Sequence, residues 1–126
     1  MAVSVQEYKK VLISFEDALS ALKKPNLGEM ERKLFRDAGI QRFEFCVELA
    51  WRVSKKQMGT TSSAPKEVIR EMAQAGLINN PEDWFGFLEA RNLSSHSYDE
   101  EVATKIENIF GLFFVEAESL LKNLLR

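Results

Sequence analysis

One stretch constrains the fold more than any other: from about Glu29 to Met58, apolar side chains cover most of a helix circumference. Ile40, Phe43, Val47, Ala50, Trp51, Ser54 and Met58 follow one face at helical spacing, while Phe35, Ala38, Phe45, Cys46, Leu49 and Val53 follow a second. Only a narrow strip, including Glu44, Glu48, Arg52 and Lys55, is consistently charged. A helix apolar on nearly every side needs other elements to cover it. This segment is therefore expected at the centre of a bundle or beneath a partner. Gly39 costs such a helix about 1 kcal/mol relative to alanine, and it marks a kink or a close contact.

Helical periodicity also dominates the rest of the chain. Val5, Tyr8, Leu12, Phe15, Leu19 and Leu22 form one stripe of a first helix, with Ser4 and Glu7 at capping-box spacing. Pro25-Asn26-Leu27-Gly28 breaks that pattern. The loop Gly59-Thr60-Thr61-Ser62-Ser63 offers caps to a short helix from about Pro65 to Ala75, which Gly76 ends. Asn80, Pro81 and Asp83 give the next helix a cap, a preset first turn and an acid suited to its dipole. Ser97 with Glu100 can cap a last helix. Its seam is Val102, Ile106, Ile109, Phe113, Ala117, Leu120 and Leu124, broadened by Phe110, Phe114, Leu121 and Leu125.

No window alternates with period two long enough to require a strand. The pattern predicts an all-α fold: an antiparallel up-and-down four-helix bundle with one additional short helix, in a single domain over 1–126. The breadth of the apolar faces predicts self-association as a homodimer.

Composition narrows the function. A net charge of −2 argues against a broad basic surface for nucleic acid, although a small local basic site stays open. The one cysteine, Cys46, lies in an apolar run, which excludes an intrachain disulfide or thiolate cluster and reads as a buried core residue. A single histidine leaves little for zinc, and neither a glycine-rich phosphate loop nor a nucleophile elbow is present. No metal and no cofactor are expected. With no leader pattern and no apolar run near the roughly 20 residues of a membrane span, the expectation is a cytoplasmic chain without membrane association.

The chemistry concentrates in Arg91-Asn92-Leu93-Ser94-Ser95-His96-Ser97-Tyr98, which holds the only histidine. Taking Leu88 as reference, Arg91 falls near about −60°, Ser95 near about −20°, Asn92 near about +40° and His96 near about +80° on a helix. These residues continue the face of Trp84, Phe85 and Leu88, yet Arg91 and His96 stand roughly 140° apart. They converge on one ligand only if the helix end unwinds or a second subunit completes the site. Arginine offers a fixed fork of donors to phosphate, and histidine exchanges protons at physiological pH. Such a pair suits attack of an RNA 2′-hydroxyl on its own phosphate without a metal. The structural alternative is that Arg91 pairs with a carboxylate, His96 satisfies a bundle end and Tyr98 is a partly buried aromatic. Asp99, Glu100 and Glu101 read as capping and solubility, and Glu67 and Glu71 as a solvated side of the short helix.

The run from Arg91 to Glu100 resembles the Arg-x4-His-x-Tyr signature of the HEPN superfamily, in particular its nucleotidyltransferase substrate-binding branch, related to HepT toxins. Residues 40–51, 63–71 and 75–78 resemble the same branch, so the likeness extends from about Tyr8 to Leu120. It implies a dimerising helical bundle encoded beside a minimal nucleotidyltransferase. Its first implication is a substrate-binding partner subunit of a two-component nucleotidyltransferase system. The alternative is a HepT-type metal-independent ribonuclease toxin with Arg91, Asn92 and His96 in its active site. There the nucleotidyltransferase antitoxin silences the toxin by transferring AMP to Tyr98. RNA or a nucleotide is the implied ligand.

Overall fold

The computed structural model describes residues 3–96 and 99–126. Among these the periodicities become six helices: α1 (Val5–Leu22), α2 (Glu29–Met58), α3 (Pro65–Gln74), α4 (Pro81–His96), α5 (Glu100–Glu107) and α6 (Phe110–Leu124). The fold is all-α, and α2 touches each of the other five. Both of its apolar faces are used. Ile40, Phe43, Val47, Ala50 and Trp51 are buried on one, and Cys46, Leu49 and Val53 on the other. Phe45 departs from the expectation: it is 54% exposed. No helix among the described residues is long and apolar enough to cross a membrane.

The expected count of four long helices and one short one is corrected at the C-terminal end. The last helix is two helices, interrupted at Asn108 and Ile109, where the Ile109 amide reaches back only three residues to the Ile106 carbonyl (3.1 Å). The tightened turn shifts the helix without breaking its seam. Ile106, Phe110, Phe113, Ala117, Leu120 and Leu124 all stay buried across it. No glycine or proline marks the break in the sequence, so periodicity alone runs straight through it.

Phe113 holds the centre of the core. Its ring meets those of Phe43 at 4.8 Å, Phe87 at 5.0 Å, Phe15 at 5.6 Å and Trp84 at 5.9 Å, all edge-on. Each such pair adds about 0.5–1.5 kcal/mol to the stabilisation from burial alone. These contacts tie α1, α2, α4 and α6 together. The Tyr8 hydroxyl donates to the Ala117 carbonyl (2.8 Å), which joins α1 to α6 without leaving a buried polar group unpaired.

The helix ends follow local chemistry, with two corrections. Ser4 caps α1 by accepting from the Glu7 amide, and Asn80 accepts from the Glu82 amide at the start of α4. Gly59 and Gly76 take the left-handed conformation just past α2 and α3, at φ 71° and 79°. The serines and threonines of the 59–63 loop do not cap α3, whose N-cap is Ala64 followed by Pro65. Their side chains turn to Glu71 instead. The Ser62 hydroxyl donates to its carboxylate, and hydrogen bonds from Ser62 and Thr60 hold that carboxyl below the usual range. Glu71 thus fastens the loop to α3. In the second correction, Ser97 lies outside the described residues and Asp99 caps α5, accepting from the Val102 amide at 2.8 Å.

Gly39 marks a close contact. A Cβ there would stand 2.9 and 3.1 Å from two carbons of the buried Phe110 ring. Alanine has the better helix propensity by about 1 kcal/mol, yet overpacking of this kind costs about 1–3 kcal/mol. We expect Gly39→Ala to lower the stability measured by urea unfolding. A midpoint raised above wild type would contradict the contact.

Candidate functional site

Helix α4 changes character along its length. Its first half is anchored by the buried Trp84, Phe87 and Leu88. One turn further on, Arg91, Ser94 and Ser95 lie against the charged strip of α2. Arg91 Nη2 stands 3.0 Å from Glu48 Oε1, and Arg91 Nη1 donates to Asn92 Oδ1 at 3.2 Å. Ser94 Oγ lies within hydrogen-bond distance of both Glu44 Oε2 and the Arg91 carbonyl. Ser95 Oγ is 3.5 Å from the same Glu44 oxygen and 3.0 Å from the Arg91 carbonyl. Two carboxylates one helical turn apart on α2 thus hold the polar end of α4.

Glu48 is shared further. Its second oxygen accepts from Arg52 Nε at 2.7 Å, and its first also receives Trp51 Nε1 at 3.4 Å. With its side chain 23% exposed, the carboxylate sits between two guanidinium groups of opposite helices. Such a charge-assisted pair is more strongly held than an open surface pair, because less water competes for it. Between the helices lies a shallow cleft of about 290 Å³ lined by Gln41, Glu44, Phe45, Glu48, Arg91 and Ser95. Arg91 lies at its edge with a third of its side chain open to solvent.

The residues singled out from the sequence are not gathered in this cleft. Arg91 lines it, and Asn92 sits beside it, exposed. His96 is the last residue of α4 and is exposed, without a hydrogen-bond or ion-pair partner among the described residues. Five residues of helix separate it from Arg91 by about 7.5 Å of rise and roughly 140° of rotation. A ligand held by Arg91 in one copy is not reached by His96 of that same rigid helix. Tyr98 lies outside the described residues. The structural alternative holds for Arg91, which does pair with a carboxylate.

The far side of the motif is fastened as well. Arg36, buried on α2, grips Glu100 at the start of α5 with two hydrogen bonds of 2.8 and 3.1 Å, and it also meets Asp37 at 3.3 Å. The chain between His96 and Asp99 is therefore bracketed by two attachments to α2: Glu44 with the serines, and Arg36 with Glu100. Cys46 takes no part in the site. It is buried in the core, and burial pushes its thiol up to about 12.

Sequence reasoning missed Glu44 and Glu48, which read as solvated strip residues, and Arg36. One signal was available. Acids four apart on α2 match Arg91 with Ser94 and Ser95, three and four apart on α4, as facing sets of acceptors and donors.

Taken together, the helical bundle and its Arg-x4-His motif define a class of nucleotidyltransferase-associated HEPN proteins. The chain belongs to the nucleotidyltransferase substrate binding protein like family, whose model matches residues 4–126. A Haemophilus influenzae relative named "Probable ribonuclease HepT" is 28% identical over 123 residues, covering 88% of this chain and 84% of the relative. A solved Haemophilus influenzae structure, described as the substrate binding domain of a nucleotidyltransferase, superposes with a TM-score of 0.88 at 24% identity. It covers 97% of this chain and 99% of its own, and at that identity it carries the fold alone. A Thermus thermophilus structure superposes with a TM-score of 0.78 at 26% identity, over 94% and 99% of the two chains.

These findings correct the first implication of the resemblance. The substrate-binding partner subunit gives way, because the curated relative that matches across the domain carries the name of a ribonuclease.

The Arg36 guanidinium holds the Glu100 carboxyl below its ordinary value of 4.5, chiefly by hydrogen bonding. A folded-state value below the unfolded one stabilises the fold above the unfolded pKa, and that contribution is lost as pH falls through the folded value. We expect Glu100→Gln to flatten the loss of thermal stability on acidification below the ordinary carboxylate range. Identical melting curves against pH for both proteins would contradict the pairing.

Proposed function

We propose that this chain is a metal-independent endoribonuclease of the toxin type, active as a homodimer, with Arg91, Asn92 and His96 as its active-site residues. The observation that carries the reading is Arg91: a part-exposed guanidinium held by Glu48 at the edge of an open cleft. A phosphate replaces a single carboxylate contact there and gains the planar fork of donors.

The chemistry follows from the residue types. Arg91 takes the non-bridging oxygens of the scissile phosphate, where charge builds in the transition state. A histidine accepts the proton of the RNA 2′-hydroxyl as that oxygen attacks the adjacent phosphorus. A second histidine, from the other subunit, protonates the departing 5′-oxygen. The products are a 2′,3′-cyclic phosphate and a free 5′-hydroxyl, with neither water nor metal consumed. Asn92, next to Arg91 and hydrogen-bonded to it, steadies the guanidinium. The 140° between Arg91 and His96 on one helix supports the dimer, since a two-fold axis brings two copies of the motif together.

In this reading a neighbouring nucleotidyltransferase is the antitoxin. The Tyr98 hydroxyl attacks the α-phosphorus of ATP, pyrophosphate leaves, and the AMP ester places bulk and negative charge two residues from His96. That charge repels the RNA backbone.

The test is cleavage of RNA by the purified chain in EDTA, with product ends analysed. Cyclic phosphate ends are expected, and Arg91→Ala and His96→Ala should each lower the rate by about 10²-fold or more. Incubation with ATP and the nucleotidyltransferase should add AMP to the wild type but not to Tyr98→Phe, and should stop cleavage. Equal cleavage by wild type and His96→Ala would overturn the proposal.

A further inference from the structure

The last turns of α2 form a second concavity that the proposed chemistry leaves unused. Trp51, Arg52, Lys55, Lys56, Thr60 and Val3 border a groove of about 410 Å³. It has three cations and no carboxylate along its wall, in a chain that carries 19 acidic residues against 17 basic ones. Attraction to the C-terminal end of the helix dipole accounts for Lys55 and Lys56 in the last turn. It does not account for Arg52, a turn earlier, or for the way Arg52 is held. The Arg52 guanidinium lies 5.0 Å from the Trp51 ring centroid while its Nε donates to Glu48. A planar cation fixed over an indole presents a flat, charged surface, the kind on which unpaired bases stack.

The groove is continuous with the cleft at Arg91. Glu48 gives one oxygen to Arg52 and the other to Arg91, so the two guanidinium groups are linked through a single carboxylate. Beyond Arg52, the next cations follow at one helical turn, about 5.4 Å. That step is close to the spacing of successive phosphates on an unpaired strand. We propose that the groove of Trp51, Arg52, Lys55 and Lys56 is a binding subsite for single-stranded RNA beside the scissile phosphate. Arg52 receives a base on its guanidinium plane, and Lys55 and Lys56 receive the phosphates. This inference rests on the ribonuclease reading above, to which it adds the path of the substrate. It also accounts for an acidic protein that binds RNA: the contact is a narrow track, and the rest of the surface repels the polyanion.

The experiment measures binding of a fluorescent single-stranded RNA of mixed sequence to the full chain. His96→Ala is included throughout to prevent turnover, and salt is varied. Adding Arg52→Gln and Lys55→Gln keeps both stems and removes two charges, and circular dichroism checks the fold. We expect at least about tenfold weaker binding and a log–log salt slope shallower by about 1.4, at roughly 0.7 per phosphate contact on a single strand. In the chain that retains His96, the same two substitutions should raise KM for cleavage while kcat holds at saturating RNA. RNA should also shield Lys55 and Lys56 from acetylation in the chain with both lysines intact, a readout that does not depend on any variant folding.

Unchanged affinity and slope in the double variant, or equal acetylation with and without RNA, would overturn the subsite. So would a double variant that loses a protein partner yet keeps its RNA affinity. Salt-dependent RNA binding that the double variant loses, in a chain that never cleaves, would overturn the ribonuclease reading and leave the subsite standing.

Discussion

The burial of α2 on nearly all sides is the constraint from which the rest follows. Five helices pack against it, and its two apolar faces supply much of the core. Only its narrow charged strip is left for water or for polar neighbours. The polar end of α4 comes to lie on that strip, where Glu44 and Glu48 give its serines and arginine fixed partners. The site is where it is because the central helix has just one face that tolerates charge.

Fixing the motif in this way matters for the proposed chemistry. An arginine free to sample many rotamers loses about 2 kcal/mol of side-chain entropy when it binds a phosphate. Here part of that cost is already met by the contacts to Glu48 and Asn92. The far end is treated likewise, with Arg36 and Asp99 fixing the start of α5. The helix end carrying His96 thus enters a segment tied to α2 on both sides.

Much of this fold was legible in the sequence because it rests on local signals. The seams of α1, α2 and α6, the Asn80 cap, and the glycines closing α2 and α3 are set by residues within a turn or two of one another. What escaped was non-local. The break at Asn108 and Ile109 leaves the apolar seam intact, so periodicity cannot register it. Ser62 was expected to cap α3, but the carboxylate of Glu71 offered its hydroxyl a stronger acceptor. Within the site, the helical angles correctly separated Arg91 from His96. Glu44 and Glu48 were passed over because a charged strip and a charged binding wall look the same until the facing helix is known. Exposed Phe45 was missed for the converse reason, since an apolar residue at helical spacing reads as core.

The central claim is that one copy of this chain does not hold a complete site, because Arg91 and His96 diverge on a rigid helix. The most direct test is the specific activity for RNA cleavage as protein is diluted through the monomer–dimer transition, with sedimentation velocity following the populations. The account predicts that specific activity falls in step with the dimer fraction and approaches zero for the monomer. A constant specific activity in samples that sediment as monomer would contradict it.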